Sequence, residues 1–167
     1  MTSVQEQKAP IPSLKEPEIT PELIEEHGIK PDEYKTLLAT MNRFGGENSM
    51  RRHADGSESP YEINISLFDA MKGTVEGEDE WQIERFLCSQ TIMMSLEGIP
   101  AFYIHSLVGA PNDYIGVHRS GRARSINRKQ WELEELQHLI DHDAVHGYIF
   151  NELRRLARIR RNERAFH

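Results

Sequence analysis

The segment GIPAFYIHSLVG, residues 98–109, limits the fold more than any other part of the chain. Charged residues make up 28% of the sequence, yet this stretch between two glycines is almost wholly apolar, with one histidine inside it. After Pro100 it is too short for a helix, and its residues suit a strand buried on both faces. Such a strand belongs to a parallel sheet covered by helices, so the expected fold class is α/β. His105 sits where the run ends. Strand ends are where α/β folds place their sites, but buried histidines also serve as hydrogen-bonded core residues, so both readings stay open.

Helical patterns lie on either side. Thr20, Pro21, Glu22, Glu25 and Glu26 read as the start of a short helix that Gly28 stops. A second helix opens at Pro31, carries Tyr34, Leu37, Leu38, Met41 and Phe44 on one stripe, and ends at Gly45 and Gly46. Asp55 and Gly56 signal a turn, and Tyr61, Ile63 and Ile65 alternate with Glu62, Asn64 and Ser66 as a half-buried extended segment. The strongest helix is expected over residues 78–97, with Ile83, Phe86, Leu87, Gln90 and Met94 on its inner face. Residues 110–130 lack periodicity and read as a long loop, a feature that in compact domains is functional or disordered. Two helices, over residues 131–140 and 146–161, close the chain. Residues 1–19, with three prolines among charges, read as a disordered tail.

The 167 residues fit one domain. A net charge of -7 argues against a general nucleic-acid binder, which must neutralise phosphates. No run approaches the ~18 apolar residues of a membrane span, and the N-terminus has no secretory apolar core. Cys88 is the only cysteine, so no intrachain disulfide forms, and a reducing, cytoplasmic setting is the default. Mid-helix and without a basic neighbour, Cys88 reads as structural.

Three clusters carry chemistry. His138, His142 and His146 share helical spacing that would align three imidazoles, but Asp143, Ala144 and Gly147 suggest a helix break among them, so a solvated junction is the expectation and no metal or other cofactor is assigned. The loop HRSGRARSINRK holds Arg119, Arg122, Arg124, Arg128 and Lys129 after the apolar run. Guanidinium groups there suit phosphate or carboxylate, and glycines let the backbone approach a ligand. The arginines near the C-terminus read mainly as a dipole complement on a solvated face.

Three motifs, DGSESPYEINISLFDAM, ERFLCSQTIMMSLEGIPAFYIHSLVGAPND and GRARSINR, recur in order and spacing in a known family. Through them, residues 35–167 resemble the sucrose phosphorylase branch of the α-amylase superfamily, retaining glycoside phosphorylases on a (β/α)8 barrel. The resemblance implies the region after barrel strand seven, through strand eight and its helices, so residues 20–167 are expected to form a C-terminal part of the catalytic barrel. Residues 98–109 then correspond to strand eight, and His105 begins its site-facing loop. Arg124 resembles the arginine that reaches the donor-glucose pocket and the phosphate. Tyr61 and Glu62 fall where the family's acceptor loop carries a tyrosine and a glutamine; a glutamate there leaves acceptors other than sucrose, such as glycerate, open.

The family's reaction is reversible phosphorolysis of an α-glucoside to glucose 1-phosphate. By the same resemblance, the nucleophile, acid/base and stabilising carboxylates would all lie before Met1. The expectation is a chain inactive alone, sharing sugar and phosphate with whatever chain supplies the other barrel strands. A different reading keeps the chain as a stand-alone helical module that binds an anionic partner through its arginine-rich loop.

Overall fold

The computed structural model describes residue 26 and residues 28–166. The tail expected over residues 1–19 and most of the helix expected from Thr20 to Gly28 lie outside the described residues. The first complete element, α1 (Pro31–Arg43), follows its sequence signals. Proline stands at its first position, and Glu33 Oε2 accepts the Lys30 backbone N–H at 2.9 Å. The helix stops at buried Phe44 and at Gly45, whose φ is +90°. A Cβ at Gly45 would also lie 2.0 Å from the Tyr114 hydroxyl, so only glycine fits.

β1 (Glu47–Arg52) and β2 (Glu58–Asn64) follow as an antiparallel hairpin. β2 is the extended segment expected from the alternation of Tyr61, Ile63 and Ile65. Its partner, rich in polar residues, carries no such pattern. The Asp55 carboxylate closes the turn by accepting the Ser57 amide at 2.9 Å and the Ser57 hydroxyl at 2.6 Å. The register slips once: Ser49 pairs with Glu62 and Met50 with Pro60, which leaves Tyr61 as the extra residue of a β-bulge.

One helical turn, α2 (Leu67–Ala70), leads into a second, minimal hairpin of β3 (Gly73–Thr74) and β4 (Gly77–Glu78). That hairpin delays the long helix α3, which runs Gln82–Ser95 rather than from residue 78. The expected inner face is correct, with Phe86, Gln90 and Met94 buried. Cys88 instead lies exposed, because it falls on the opposite side of this amphipathic helix.

The central expectation, a buried parallel strand over residues 98–109, is not met. Residues 99–103 join no sheet, and the last part of the run coils into a single turn, α4 (Ile104–Leu107). Tyr103 keeps an extended backbone, with φ -77° and ψ 138°. A strand, however, is held by ladder hydrogen bonds to a neighbour, and no neighbour stands beside this segment among the described residues. Ile99, Tyr103 and Ile104 therefore face outward, Ile99 at 98% exposure, while Phe102 packs against the core and Val108 is buried. Both sheets of the described residues are two-stranded and antiparallel.

The stretch read as one long loop contains α5 (Tyr114–Ser120) and a 3-10 turn (Ala123–Asn127). Its cap residues are plain in retrospect. The Asp113 carboxylate accepts the Gly116 N–H at 2.9 Å, and Gly121 closes the helix with φ +65°. Two helices, α6 (Leu133–His142) and α7 (Ala144–Asn162), meet at the expected break, where Asp143 is the whole connection. A last 3-10 turn (Arg164–Phe166) follows. No helix of the described residues is long and apolar enough to cross a membrane.

The core forms where α2, α3 and α7 meet, with Phe68, Phe86, Met94, Ile149 and Leu153 in contact. Phe68 and Phe86 pack edge to face at 5.5 Å. Gly109, φ +59°, lets the chain pass beside Ile149 and Phe68; a Cβ there would lie 2.6 Å from Ile149 Cδ1. Above this apolar layer sits a buried polar knot. Asp69 Oδ2 accepts the Asn112 N–H at 2.7 Å, Asn112 Oδ1 accepts the Ser66 N–H at 2.8 Å, and Ser66 Oγ accepts the Asp69 N–H at 3.1 Å. Asp69 is 4% exposed, and Lys72 Nζ approaches its other oxygen at 3.4 Å. Removing the carboxylate leaves a buried N–H and an ammonium without their partner. Asp69→Ala is expected to cost about 2–4 kcal/mol in urea unfolding, against less than about 1 kcal/mol for exposed Asp32→Ala.

Candidate functional site

Arg124 lies in the 3-10 turn, and Glu62 lies beside the bulge of β2. Separated by 62 residues in sequence, they meet side chain to side chain. The Arg124 Nε–H donates to both oxygens of Glu62, at 2.7 Å to Oε2 and 3.0 Å to Oε1. The side chains are 42% and 28% exposed, so the pair sits at the rim of the molecule, partly shielded from water. A charge-assisted contact of this geometry is stronger than an ordinary surface pair. Tyr61, displaced from the ladder by the bulge, lies exposed next to it. Bulges re-aim side chains, and here one adjoins a charged pair that joins β2 to the 3-10 turn.

His105 is buried against the backbone just downstream of Arg124. Its Nε2 is 2.9 Å from the Lys129 carbonyl oxygen. A carbonyl only accepts, so Nε2 carries a proton, which in the neutral ring is the Nε2–H tautomer. Nδ1 is buried, with no hydrogen-bond partner. The ring stacks on Tyr103 at 4.6 Å between centroids, and the Tyr103 hydroxyl donates to the Asn127 carbonyl at 3.2 Å. Tyr103 and His105 thus grip the carbonyls of Asn127 and Lys129, just downstream of Arg124. Between this grip and residues 65–70 lies a cleft of about 220 Å³ that includes Ser66, Phe68 and Asn127. Asn127 Nδ2 also donates to the Ile65 carbonyl at 3.4 Å, which fastens the loop to the end of β2.

The histidine row does not converge. His138 and His142 stack at 4.3 Å, while His146 donates from Nδ1 to the Val108 carbonyl at 2.8 Å and tilts against Phe68. No group of three or more His, Cys, Asp or Glu side chains among the described residues is arranged to hold a metal ion.

Sequence reasoning overlooked three positioning residues. Asp69 and Asn112 stand inside the quoted motifs, and the turn-favouring residues around them were the available signal. Arg160 was read as one of a solvated row, but it contacts the Met94 carbonyl and donates to those of Leu96 at 3.0 Å and Gly98 at 2.6 Å. It thereby satisfies orphan acceptors at the C-terminal end of α3.

Burial holds the His105 imidazole below the ordinary histidine value, against the opposing pull of its hydrogen bond to Lys129 and of the Asp113 charge. The sign follows. On acidification the unfolded chain binds a proton near pH ~6.5, before the folded chain does. The neutral ring's contribution is therefore complete above that pH and is lost as pH falls toward the folded value. Urea midpoints of the native chain should decline below pH ~6.5, and His105→Gln, which can still donate to Lys129, should flatten that decline. Parallel pH curves for the two proteins would assign the decline to other groups.

No protein-family profile matches the chain. A glucosylglycerate phosphorylase of Escherichia coli strain K12 is 36% identical over 142 residues, 84% of this chain and 25% of that protein. The glucosylglycerate phosphorylase of Allomeiothermus silvanus is 36% identical over 141 residues, 83% of this chain and 25% of its own. Among solved structures, sucrose 6F-phosphate phosphorylase from Thermoanaerobacter thermosaccharolyticum superposes with a TM-score of 0.66 at 22% identity, over 83% of this chain and 26% of that one. The chain thus spans about a quarter of the length of the relatives it matches. Over that quarter it is a homologue of the glucosylglycerate phosphorylases, and its fold is similar to the matching part of the sucrose 6F-phosphate phosphorylase.

Proposed function

We propose that this chain is the part of an α-glucoside phosphorylase barrel that carries the phosphate-facing arginine loop and the acceptor loop, with glucosylglycerate as the substrate its relatives suggest. The observation that carries this reading is the meeting of Glu62 with Arg124. The resemblance relates Arg124 to the donor-glucose pocket and the phosphate and Glu62 to the acceptor loop, and in the fold Arg124 Nε lies 2.7 Å from Glu62 Oε2. In the retaining reaction a carboxylate nucleophile takes the glucosyl group while a second carboxyl group, in its acid form, gives its proton to the leaving glycerate oxygen. Phosphate then attacks the glucosyl-enzyme in place of water. A phosphate dianion entering a site that holds carboxylates needs a fixed cation, and Arg124 supplies one. The carboxylates are assigned to barrel strands outside this sequence.

The exposed run at residues 99–104 supports the same reading. Its apolar side chains and extended Tyr103 are what strand eight presents when no ladder partner is beside it. Contiguous apolar surface of this kind associates. Analytical ultracentrifugation of the chain is expected to show self-association that Ile99→Ser reduces. Thermal stability should hardly change, because a residue 98% exposed contributes little to the core. A chain that stays monomeric at high concentration would count against an open strand.

Function is tested in a chimera in which residues 30–166 replace the matching quarter of a glucosylglycerate phosphorylase. Arg124→Ala should lower release of glucose 1-phosphate roughly a hundredfold or more, the effect of losing ~2–4 kcal/mol of transition-state stabilisation. Arg119→Ala, on the exposed side of α5, should stay within about twofold. Arg124→Lys should recover only part of the loss, because an ammonium lacks the planar two-point contact. Equal behaviour of Arg124→Ala and Arg119→Ala would overturn the assignment.

A further inference from the structure

We propose that Tyr103 and His105 are positioning residues for Arg124: by holding the carbonyls of Asn127 and Lys129, they fix the direction in which the 3-10 turn presents its guanidinium to phosphate. The inference rests on the reading of Arg124 as the phosphate-facing residue and extends it to the side chains that aim it.

The turn that carries Arg124 has one deep anchor. Ile126 is fully buried, and its carbonyl accepts the Asp113 N–H at 2.7 Å. A single anchor sets the depth of a turn but leaves it free to swivel about that point. Upstream, the Ser120 and Ser125 hydroxyls, 2.6 Å apart, tie the turn only to the exposed end of α5. The Glu62 carboxylate meets the tip of the Arg124 side chain and does not hold the backbone. Downstream, the Tyr103 hydroxyl donates to the Asn127 carbonyl at 3.2 Å, and His105 Nε2–H donates to the Lys129 carbonyl at 2.9 Å. Two bonds from one short segment, made to two carbonyls away from the Ile126 anchor, stop the swivel.

Aromatic rings make the grip directional. The imidazole stacks on Tyr103 at 4.6 Å and lies 6.4 Å from the tilted ring of Trp131. Packed against both, it cannot turn freely, so Nε2 keeps its aim at Lys129. Lys129 is held at its other end as well, with its ammonium 4.0 Å from the centroid of Trp131 and 2.7 Å from Glu135 Oε1. An apolar side chain at position 105 would fill the same space but make no bond, so what the imidazole adds is direction. A guanidinium recognises an oxyanion through the fixed geometry of its N–H groups, and misplacing such a contact by about 1 Å can cost about a hundredfold in rate. Loosening the grip therefore weakens the capture of phosphate while the positive charge stays.

The test has two arms. In the native chain, NMR follows the Arg124 Nε–H signal. His105→Ala should shift and broaden it, and His105→Gln, which can still donate to Lys129, should restore it. Tyr103→Phe keeps the ring stack and loses only the bond to Asn127, so it should fold and give a smaller shift; the same spectra report whether each variant is folded. An Arg124 signal unchanged in the folded variants would overturn the proposal. The second arm measures kcat/KM for inorganic phosphate in the chimera with glucosylglycerate phosphorylase. His105→Ala should lower it roughly tenfold and Tyr103→Phe about threefold, while His105→Gln should stay within about twofold of the native residue. In an Arg124→Ala background, His105→Ala should cost almost nothing more, because its effect passes through the arginine. If His105→Ala lowers kcat/KM by the same factor in both backgrounds, the positioning role is overturned while the arginine reading stands. If Arg124→Ala alone leaves kcat/KM for phosphate unchanged, the arginine reading fails and the positioning role fails with it.

Discussion

The buried bond from the Asn112 N–H to Asp69 holds this molecule in register. Charged groups are rarely buried unless several partners satisfy them, and Asp69 has the Asn112 amide, its approach to Lys72, and an N–H of its own held by Ser66. The bond is not local. It fastens the turn after the first hairpin to the chain leaving the apolar run, 43 residues later. Asn112 then reaches a third segment, donating from Nδ2 to the Gly45 carbonyl at 3.3 Å. Three stretches distant in sequence are thus pinned at one point. The hairpin that carries Glu62 and the loop that carries Arg124 both emerge from that point, so their meeting depends on it.

What could be read from the residues alone divides along a physical line. Helices α1, α3 and α7 announce themselves through apolar residues at helical spacing; the inner face of α3 agrees with that reading, whereas in α1 Leu37 is exposed and Thr40 is the buried residue. Local punctuation was equally legible at Asp55, at Gly45 and at the break on Asp143. The failures are nonlocal. β1 has no apolar alternation, and it is a strand only because β2 lies beside it. Residues 98–109 have the composition of a central strand but are not one here, since a ladder is a property of two segments and composition belongs to one. α5 was missed for a third reason. It is short and polar, and its identity rests on two caps rather than on a periodic face.

For the site, the residue types were legible and their relations were not. Arg124, Tyr61, Glu62 and His105 were singled out, but nothing in the chain indicates that Glu62 would close on Arg124 or that His105 would be buried against the backbone downstream of it. The Nε2 proton of His105 follows from a single carbonyl, that of Lys129, which pattern reading cannot anticipate. The stacked pair of Tyr103 and His105 also accounts for the histidine inside an otherwise apolar run. It gives an apolar segment one polar edge with which to hold the loop that follows.

The junction at Asp143 gives the two closing helices unequal standing. α7 sends Ile149 and Leu153 into the core and is tied to α3 through Arg160. α6 buries no residue fully and joins α7 through one residue whose carboxylate caps α7, with bonds to the Val145 and His146 amides at 2.9 and 3.0 Å. A helix held so lightly at its own end, next to one whose first turn is closed independently, opens without disturbing its neighbour. Its amides are expected to open as a separate unit, with deuterium entering α6 from solvent well before it reaches the interior turns of α7.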